Sequence, residues 1–120
     1  MTRLRLATLG VALVAVLAWA LPATAAHHGR IGSVTVTAGT PTEFHFTLSA
    51  SSTSSGVVTF KVTNKGKLSH DFSIGGRKTP LLSPGKSNTL RLTLRKGNYP
   101  YKCTVPGHAA AGMKGVFKVT

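Results

Sequence analysis

Acidic residues and cysteine are scarce in this 120-residue chain. Its two acids, Glu43 and Asp71, stand against 15 lysines and arginines, which gives a formal net charge of +13. A field of this sign favours anionic partners. The single cysteine, Cys103, excludes a framework of internal disulfides. Past the first 25 residues no segment has a sustained helical stripe of apolar residues, which argues against a helical domain.

The first 25 residues differ in composition from the rest. Arg3 and Arg5 precede an uncharged apolar run at positions 6–21, and a small-residue stretch follows. This order predicts a secretory signal peptide at residues 1–25, cleaved after Ala25. We therefore expect export to the periplasm, the cell surface or the medium. The apolar run approaches the ~20 mainly apolar residues that a membrane span needs, so an uncleaved membrane anchor is the alternative.

Cleavage would leave residues 26–120, a length at which one compact domain is feasible. Without Arg3 and Arg5 that domain keeps 13 basic residues and both acids, a net charge of +11. The basic residues are scattered rather than gathered in one run, and export argues against a genomic target, so nucleic acid is not expected as a partner. An acidic protein or an anionic membrane or wall surface fits the charge better. A monomer is expected.

Apolar and polar residues alternate with a period of two after the leader, and Gly, Pro, Ser and Asn interrupt the alternation. This pattern is typical of all-β proteins, and seven short strands in one domain predict a β-sandwich or a barrel. The predicted strands cover residues 31–37, 42–48, 57–63, 70–74, 89–94, 99–104 and 114–120. The stretch from Ala50 to Gly56 contains five Ser or Thr residues at positions 51–55, so we expect a flexible connecting loop there.

The lone cysteine begins a segment with three metal-binding side chains. Cys103, His108 and Met113 follow one another at equal spacing on one predicted loop. Thiolate, imidazole and thioether together favour copper, and a blue-copper site combines two histidines, one cysteine and a weak axial methionine. The alternative is a free cysteine that packs as a small core residue.

His70 is the predicted second histidine. His27 and His28 lie at the expected new amino terminus, and His45 lies within a predicted strand. His70 begins a strand after a turn, so its side chain can project from one end of a sandwich toward the loop that contains the other ligands. One copper ion per chain is expected. The predicted ligands are His70, Cys103, His108 and Met113.

Three motifs around these residues resemble those of the cupredoxin family. They are Asn-x-Gly-x-x-x-His-x-Phe at 64–72, Gly-Asn-Tyr-Pro-Tyr-x-Cys at 97–103 and Cys-x4-His-x4-Met at 103–113. The chain is similar to the plastocyanin and azurin group of small blue-copper proteins, and its Cys-to-His spacing is closer to sulfocyanin- and auracyanin-like members. The resemblance implies a Greek-key β-sandwich of seven or eight strands with copper at one end, bound by the four residues above.

The resemblance implies an exported one-electron carrier that cycles between Cu(I) and Cu(II) and is not an enzyme. The chain is too short for the extra domains or the second copper centre of a copper enzyme. The alternative is a copper-handling protein of the same fold, acting as a chaperone, store or sensor. We expect an acidic redox partner to dock near His108, steered by a rim of lysines. The candidates for this rim are Lys65, Lys67, Lys102 and Lys114. The alternative is that these lysines are only the solvated faces of strands.

Some residues beside the predicted ligands keep two interpretations. Asp71 is predicted either to hydrogen-bond to the ligand loop at Thr104 or to be a solvated strand carboxylate. His28, in third position after cleavage, either completes a square-planar copper site with the terminal amine or is idle. Phe72 and Phe117 are predicted to pack in the core near the metal.

Overall fold

The computed structural model describes residues 31–120 and five isolated positions in the leader, 10, 12, 15, 19 and 20. Apart from those five positions, the predicted signal peptide at 1–25 lies outside the described residues, as does the copper site considered at His27 and His28. The described residues include no helix of the length and apolarity that a membrane crossing requires.

Residues 31–120 form nine strands connected by turns and loops. The strands are β1 (Ile31–Ala38), β2 (Phe46–Leu48), β3 (Ser52–Thr53), β4 (Gly56–Asn64), β5 (Ser73–Ile74), β6 (Arg77–Lys78), β7 (Ser87–Leu94), β8 (Gly97–Lys102) and β9 (Lys114–Val119).

The strands pack as two sheets. One sheet has the order β2-β1-β4-β7 and the other the order β3-β9-β8-β5-β6. Neighbours are antiparallel except for the β1–β4 and β3–β9 pairs, which are parallel. The chain crosses from one sheet to the other several times, so strands that are distant in sequence lie side by side. The all-β sandwich predicted from the sequence is confirmed, with nine strands in place of seven or eight.

Alternation along the strands builds the core. In β4, Val58, Phe60 and Val62 are buried while the residues between them are not. The ring of Phe60 packs against those of Phe72 and Phe117, which belong to the other layer of the sandwich. Its centroid is 5.5 Å from that of Phe72 and 5.3 Å from that of Phe117. Both phenylalanines are fully buried, as predicted. The core therefore reaches from the middle of the sandwich up to the residue that follows His70 and Asp71.

The strand predicted over residues 42–48 is shorter in the structure, where β2 begins only at Phe46. The Gly39 N–H donates to the His45 carbonyl oxygen at 2.9 Å and closes the intervening residues into a loop. Pro41 lies in that loop and has no N–H with which to join a ladder. The loop consequently turns toward the predicted metal ligands rather than continuing the sheet.

The strand predicted over residues 70–74 is also shorter, and only its last two residues pair as β5. His70 forms a single bridge with Leu82, through N–H to carbonyl bonds of 3.0 and 2.8 Å. The next N–H, that of Asp71, points to the sulfur of Cys103 at 3.5 Å instead of to a neighbouring strand. The ladder is interrupted here because the backbone bonds to the site.

The prediction that residues 50–56 only form a connecting loop is wrong, because Ser52 and Thr53 form β3. This strand pairs in parallel with Lys118 and Val119 at the end of β9. The Thr120 N–H extends the pairing by donating to the Thr53 carbonyl oxygen at 2.9 Å. Backbone groups alone make these bonds, so small polar side chains do not prevent them.

Replacing Phe60 by Ala tests the core. We expect Phe60→Ala to lower the free energy of unfolding by about 3–5 kcal/mol, because it empties a fully buried site between two aromatic rings. Chemical denaturation of the apo protein measures the change. Leu81, which is 61% exposed, supplies the control: Leu81→Ala should change stability by less than about 0.5 kcal/mol. Equal losses in the two variants would contradict this account of the core.

Candidate metal centre

Three of the predicted ligands lie together at one end of the sandwich. His70, Cys103 and His108 each place one ligand atom within 4.8 Å of the other two. The two imidazole Nδ1 atoms are 3.1 Å apart. The Cys103 Sγ is 3.6 Å from Nδ1 of His108 and 4.0 Å from Nδ1 of His70.

The loop between β8 and β9 positions Cys103 and Met113. Cys103 directly follows β8 and Met113 directly precedes β9, so both continue the ladder of this strand pair. The Cys103 N–H donates to the Met113 carbonyl oxygen at 3.1 Å, and the Met113 N–H donates to the His108 carbonyl oxygen at 3.1 Å. Both the cysteine and the methionine are buried, at 1% and 0% exposure.

His108 lies on a tight turn within the same loop. Its N–H donates to the Val105 carbonyl oxygen at 3.1 Å, across Pro106 and Gly107. Gly107 has a φ of +85°, a conformation that glycine adopts at little cost. The imidazole is partly buried, and the ring of Phe44 contacts it edge-on at a centroid distance of 5.0 Å. The turn and this contact fix the direction of the His108 ring.

Glu43 binds the far side of the His70 imidazole, a contact that the sequence analysis missed. Its Oε1 lies 2.7 Å from Nε2 of His70. A carboxylate can only accept, so Nε2 carries the proton and Nδ1 keeps its lone pair toward Cys103 and His108. The only signal in the sequence was scarcity, since Glu43 is one of two acids in the chain.

The same carboxylate holds the loop after β4. Glu43 accepts hydrogen bonds from the N–H groups of Lys67 and Leu68, each at 2.9 Å. Those two backbone bonds, together with the bond from His70, lower the pKa of Glu43 from 4.5 to about 2. Gly66 leaves the space that this arrangement needs, because a Cβ there would lie 2.9 Å from Nε2 of His70 and collide with the Glu43 carboxylate.

Asp71 adopts the first of its two predicted roles. The Thr104 N–H donates to Oδ1 of Asp71 at 2.6 Å, and the Thr104 hydroxyl donates to Oδ2. Asp71 is only 5% exposed and is therefore not a solvated strand carboxylate. This contact ties the residue after His70 to the residue after Cys103.

The side chain of Asn64 hydrogen-bonds to backbone groups next to the site. The residue is fully buried, and its amide nitrogen donates to the carbonyl oxygens of Leu68 and Leu82 at 2.7 and 2.8 Å. Its Oδ1 accepts the Gly66 N–H at 2.9 Å. Sequence analysis assigned Asn64 to a turn, and the structure shows that its side chain also joins that turn to Leu82, the bridge partner of His70.

Burial shifts the pKa of Cys103 and of His108. Burial raises the pKa of the Cys103 thiol, although the N–H groups of Asp71 and Val105 oppose the shift. Burial and the neighbouring His70 lower the pKa of His108. Both shifts favour the uncharged forms of the two side chains. A metal ion must therefore displace the thiol proton when it binds.

The donor set fits a copper ion. Bonds of about 2.0–2.3 Å from a metal to nitrogen and sulfur place the donors of a trigonal set roughly 3.5–4 Å apart. The two sulfur–nitrogen separations, 3.6 and 4.0 Å, fall in this range, and the nitrogen–nitrogen separation is shorter, at 3.1 Å. One sulfur and two nitrogens in a buried site are the ligand types that copper prefers.

Residues 30–120 match the family model described as copper binding proteins, plastocyanin/azurin family. The chain belongs to this family. It is a cupredoxin and binds one copper ion, as the sequence motifs implied. Cupredoxins pass electrons to redox partner proteins. A search of curated protein sequences found no significant match.

Solved structures of other cupredoxins have the same fold. Auracyanin B is 25% identical and superposes with a TM-score of 0.63, covering 77% of this chain and 90% of its own. Rusticyanin from Thiobacillus ferrooxidans is 23% identical with a TM-score of 0.66, covering 77% and 79%. Auracyanin A from Chloroflexus aurantiacus, named a "blue" copper protein, is 17% identical with a TM-score of 0.61, covering 76% and 100%. The predicted similarity to auracyanin-like members is confirmed.

The four lysines predicted to form a rim around His108 lie in two groups. Lys65 and Lys67 are exposed on the loop that Glu43 holds. Lys102 and Lys114 are exposed on the β8–β9 pair, next to Cys103 and Met113. Every one of the four is therefore within a few residues of a predicted ligand.

Acid should weaken this cupredoxin through Glu43. Because the pKa of Glu43 is lowered to about 2 in the folded state, its contribution to stability is complete above pH 4.5 and is lost as the pH falls toward 2. We expect the unfolding free energy of the apo wild type to fall across this window, and that of Glu43→Gln to fall less steeply. Urea denaturation at several pH values measures both slopes. Parallel pH profiles would contradict the role assigned to the carboxylate.

Proposed function

We propose that this cupredoxin is an exported blue (type 1) copper protein that carries single electrons by cycling between Cu(I) and Cu(II). The observation that carries the proposal is the cluster of one buried cysteine sulfur and two imidazole Nδ1 atoms within 4.8 Å. The protein acts as a monomer and makes or breaks no substrate bonds. Residues 1–25 are its signal peptide, and residues 26–120 are the copper-binding domain.

The proposed ligands are His70, Cys103, His108 and Met113. The first three would hold the copper ion through two nitrogens and a thiolate sulfur, and the thioether of Met113 would be the weaker donor. Supporting this, Met113 is fully buried and its backbone is bonded to both Cys103 and His108. His45, the other histidine among the described residues, is exposed and belongs to the loop beyond Phe44.

Rigidity of the donors is what electron transfer requires of this chain. The bound copper supplies the redox couple, and the protein's part is to keep the donors fixed while the charge changes. His70 is held on one side by its backbone bridge to Leu82 and on the other by Glu43. Cys103 is held by the Met113 carbonyl oxygen and accepts the Asp71 N–H. A small rearrangement between oxidation states keeps the barrier to transfer low.

His108 is the proposed exit for the electron. It is the most exposed of the three clustered ligands, and the small residues around it present a smooth surface to a partner. The partner is proposed to be acidic where it docks, because the protein's own surface is strongly basic. These small neighbours are Pro106, Gly107, Ala109, Ala110 and Ala111.

Copper titration tests the ligand set. Adding one equivalent of Cu(II) to residues 26–120 should give an intense blue thiolate-to-copper band and a narrow copper hyperfine splitting. His70→Ala should lose both signals, because it removes one nitrogen donor from the cluster, while the matched control His45→Ala should keep both. A pale tetragonal spectrum from the wild type would refute the proposal and favour copper handling instead.

Mass spectrometry tests export. The full chain, expressed in a bacterial host that secretes proteins, should leave the cytoplasm with the mass of residues 26–120, because small residues at positions 23 and 25 fit the cleavage rule. The variant Ala25→Arg should block cleavage and keep the full mass. Recovery of uncleaved wild type in the membrane fraction would instead establish the anchor.

A further inference from the structure

The two imidazoles of the metal centre have different surroundings. His70 is fully buried, and Oε1 of Glu43 lies 2.7 Å from its Nε2. His108 is partly exposed, and its ring contacts the edge of Phe44 at a centroid distance of 5.0 Å. The one imidazole–carboxylate contact within residues 31–120 is that between His70 and Glu43. One donor therefore has an anion behind it, and the other does not.

The Glu43 carboxylate keeps its negative charge at neutral pH, because its pKa is lowered to about 2. The side chain is only 24% exposed. Its oxygens accept from Nε2 of His70 and from the N–H groups of Lys67 and Leu68. Backbone N–H groups carry partial charges only. No lysine or arginine side chain within residues 31–120 forms an ion pair with it. A negative charge consequently remains on the far side of the His70 ring.

This charge acts on a bound metal through the His70 ring. A hydrogen bond from Nε2–H to a carboxylate makes the other ring nitrogen a more basic ligand. That nitrogen, Nδ1, is the atom that faces Nδ1 of His108 at 3.1 Å and Sγ of Cys103 at 4.0 Å. The attraction between a carboxylate and a cation also grows with the charge of the cation. Both effects favour Cu(II) over Cu(I).

Burial preserves this effect against screening by water and salt. His70, Cys103 and Met113 are 0%, 1% and 0% exposed. Charges in buried surroundings are screened much less than charges in solvent. The lysines of the adjoining loop, Lys65 and Lys67, are exposed and therefore screened. One carboxylate bonded to a ligand thus has more influence on the metal centre than the excess of basic residues on the surface.

We propose that Glu43 sets the redox preference of the metal centre: by bonding to Nε2 of His70, its carboxylate stabilises Cu(II) more than Cu(I) and lowers the reduction potential. This inference rests on the proposed electron-carrier function and deepens it. Holding the ring in place affects both oxidation states alike, whereas the charge distinguishes between them. A lower potential lets the protein give up its electron to a wider range of acceptors.

The variant Glu43→Gln tests the role of the charge. Glutamine has the same length, and its amide oxygen can still accept from His70 and Leu68, so the main loss is the negative charge. The ratio of Cu(II) affinity to Cu(I) affinity should fall at least about tenfold. That change raises the reduction potential by at least about 59 mV for a one-electron couple. Spectroelectrochemical titration measures the potential, because the blue band disappears as the electrode supplies one electron to each copper.

Affinity measurements separate the charge from the positioning of the ring. Competition with bicinchoninate, a chelator of Cu(I), gives the Cu(I) affinity, and the potential then gives the Cu(II) affinity. In Glu43→Gln the Cu(I) affinity should stay close to that of the wild type, and the loss should fall on Cu(II). Equal weakening of both oxidation states, with an unchanged potential, would mean that Glu43 only positions His70 and would overturn the proposal.

Two further variants serve as controls. Lys67→Gln removes a charge from the same loop, but this side chain is exposed, so the potential should shift much less. A shift as large as that of Glu43→Gln would overturn the special position of the carboxylate. Glu43→Asp keeps the charge and shortens the side chain, so it should raise the potential less than Glu43→Gln does. If Glu43→Gln does not fold, an unchanged potential in Glu43→Asp overturns the proposal.

The blue spectrum separates this inference from the proposed function. Glu43 and Lys67 are not proposed ligands, so all of the folded variants should show the blue band when loaded with Cu(II). A wild type without that band refutes the electron-carrier function itself. A wild type with the band, and with a potential that Glu43→Gln leaves unchanged, refutes only the role of the carboxylate.

Discussion

The β8–β9 hairpin is the constraint on which the rest of the site depends. Its ladder runs from Gly97 and Val119 to Lys102 and Lys114, and the Cys103 N–H to Met113 carbonyl bond adds one more rung. A ladder of this length fixes the two ends of the following loop, so the loop residues between Cys103 and Met113 have few conformations left. The position of His108 is then determined by a tight turn within a closed loop rather than by contacts made one at a time.

His70 comes from another part of the chain, and the two acidic side chains hold it beside this hairpin. Asp71 bonds to Thr104 and so links the strand end after His70 to the ligand loop. Glu43 fixes the imidazole from behind and anchors the loop after β4 at the same time. The chain has 15 basic residues and only two acidic ones, and both acidic residues lie beside the same site. Each serves as a buried or half-buried acceptor, and neither offsets the surface charge.

The sequence predicted the clustering of His70, Cys103 and His108 better than the contacts that orient these side chains. Cys103, His108 and Met113 are close together in the sequence, so their residue types and equal spacing were enough to identify them as candidates. The sandwich also followed from alternation in β4 and β7. The role of Glu43 was not predicted because the pattern around this residue indicated a strand, whereas the hydrogen bond from Gly39 to His45 makes the segment a loop. Strand β3 was not predicted because its backbone pairing with β9 needs no apolar side chains. In both cases a backbone hydrogen bond overrode the side-chain pattern: a local one in the Glu43 loop and a long-range one in β3.

The distribution of charge has a physical consequence for the protein as a redox carrier. Acidic side chains next to the metal are enclosed by hydrogen bonds, so their influence stays within the site, whereas the lysines extend from strand ends into solvent. A partner therefore meets a cationic surface everywhere, and orientation cannot come from net charge alone. It must come from where the cations are concentrated beside exposed apolar groups. The loop residues around His108, at positions 106–111, are small and include no cation, whereas Lys102 and Lys114 lie at the adjoining ends of β8 and β9. Apolar area and positive charge thus lie on adjoining parts of this loop and its flanking strands.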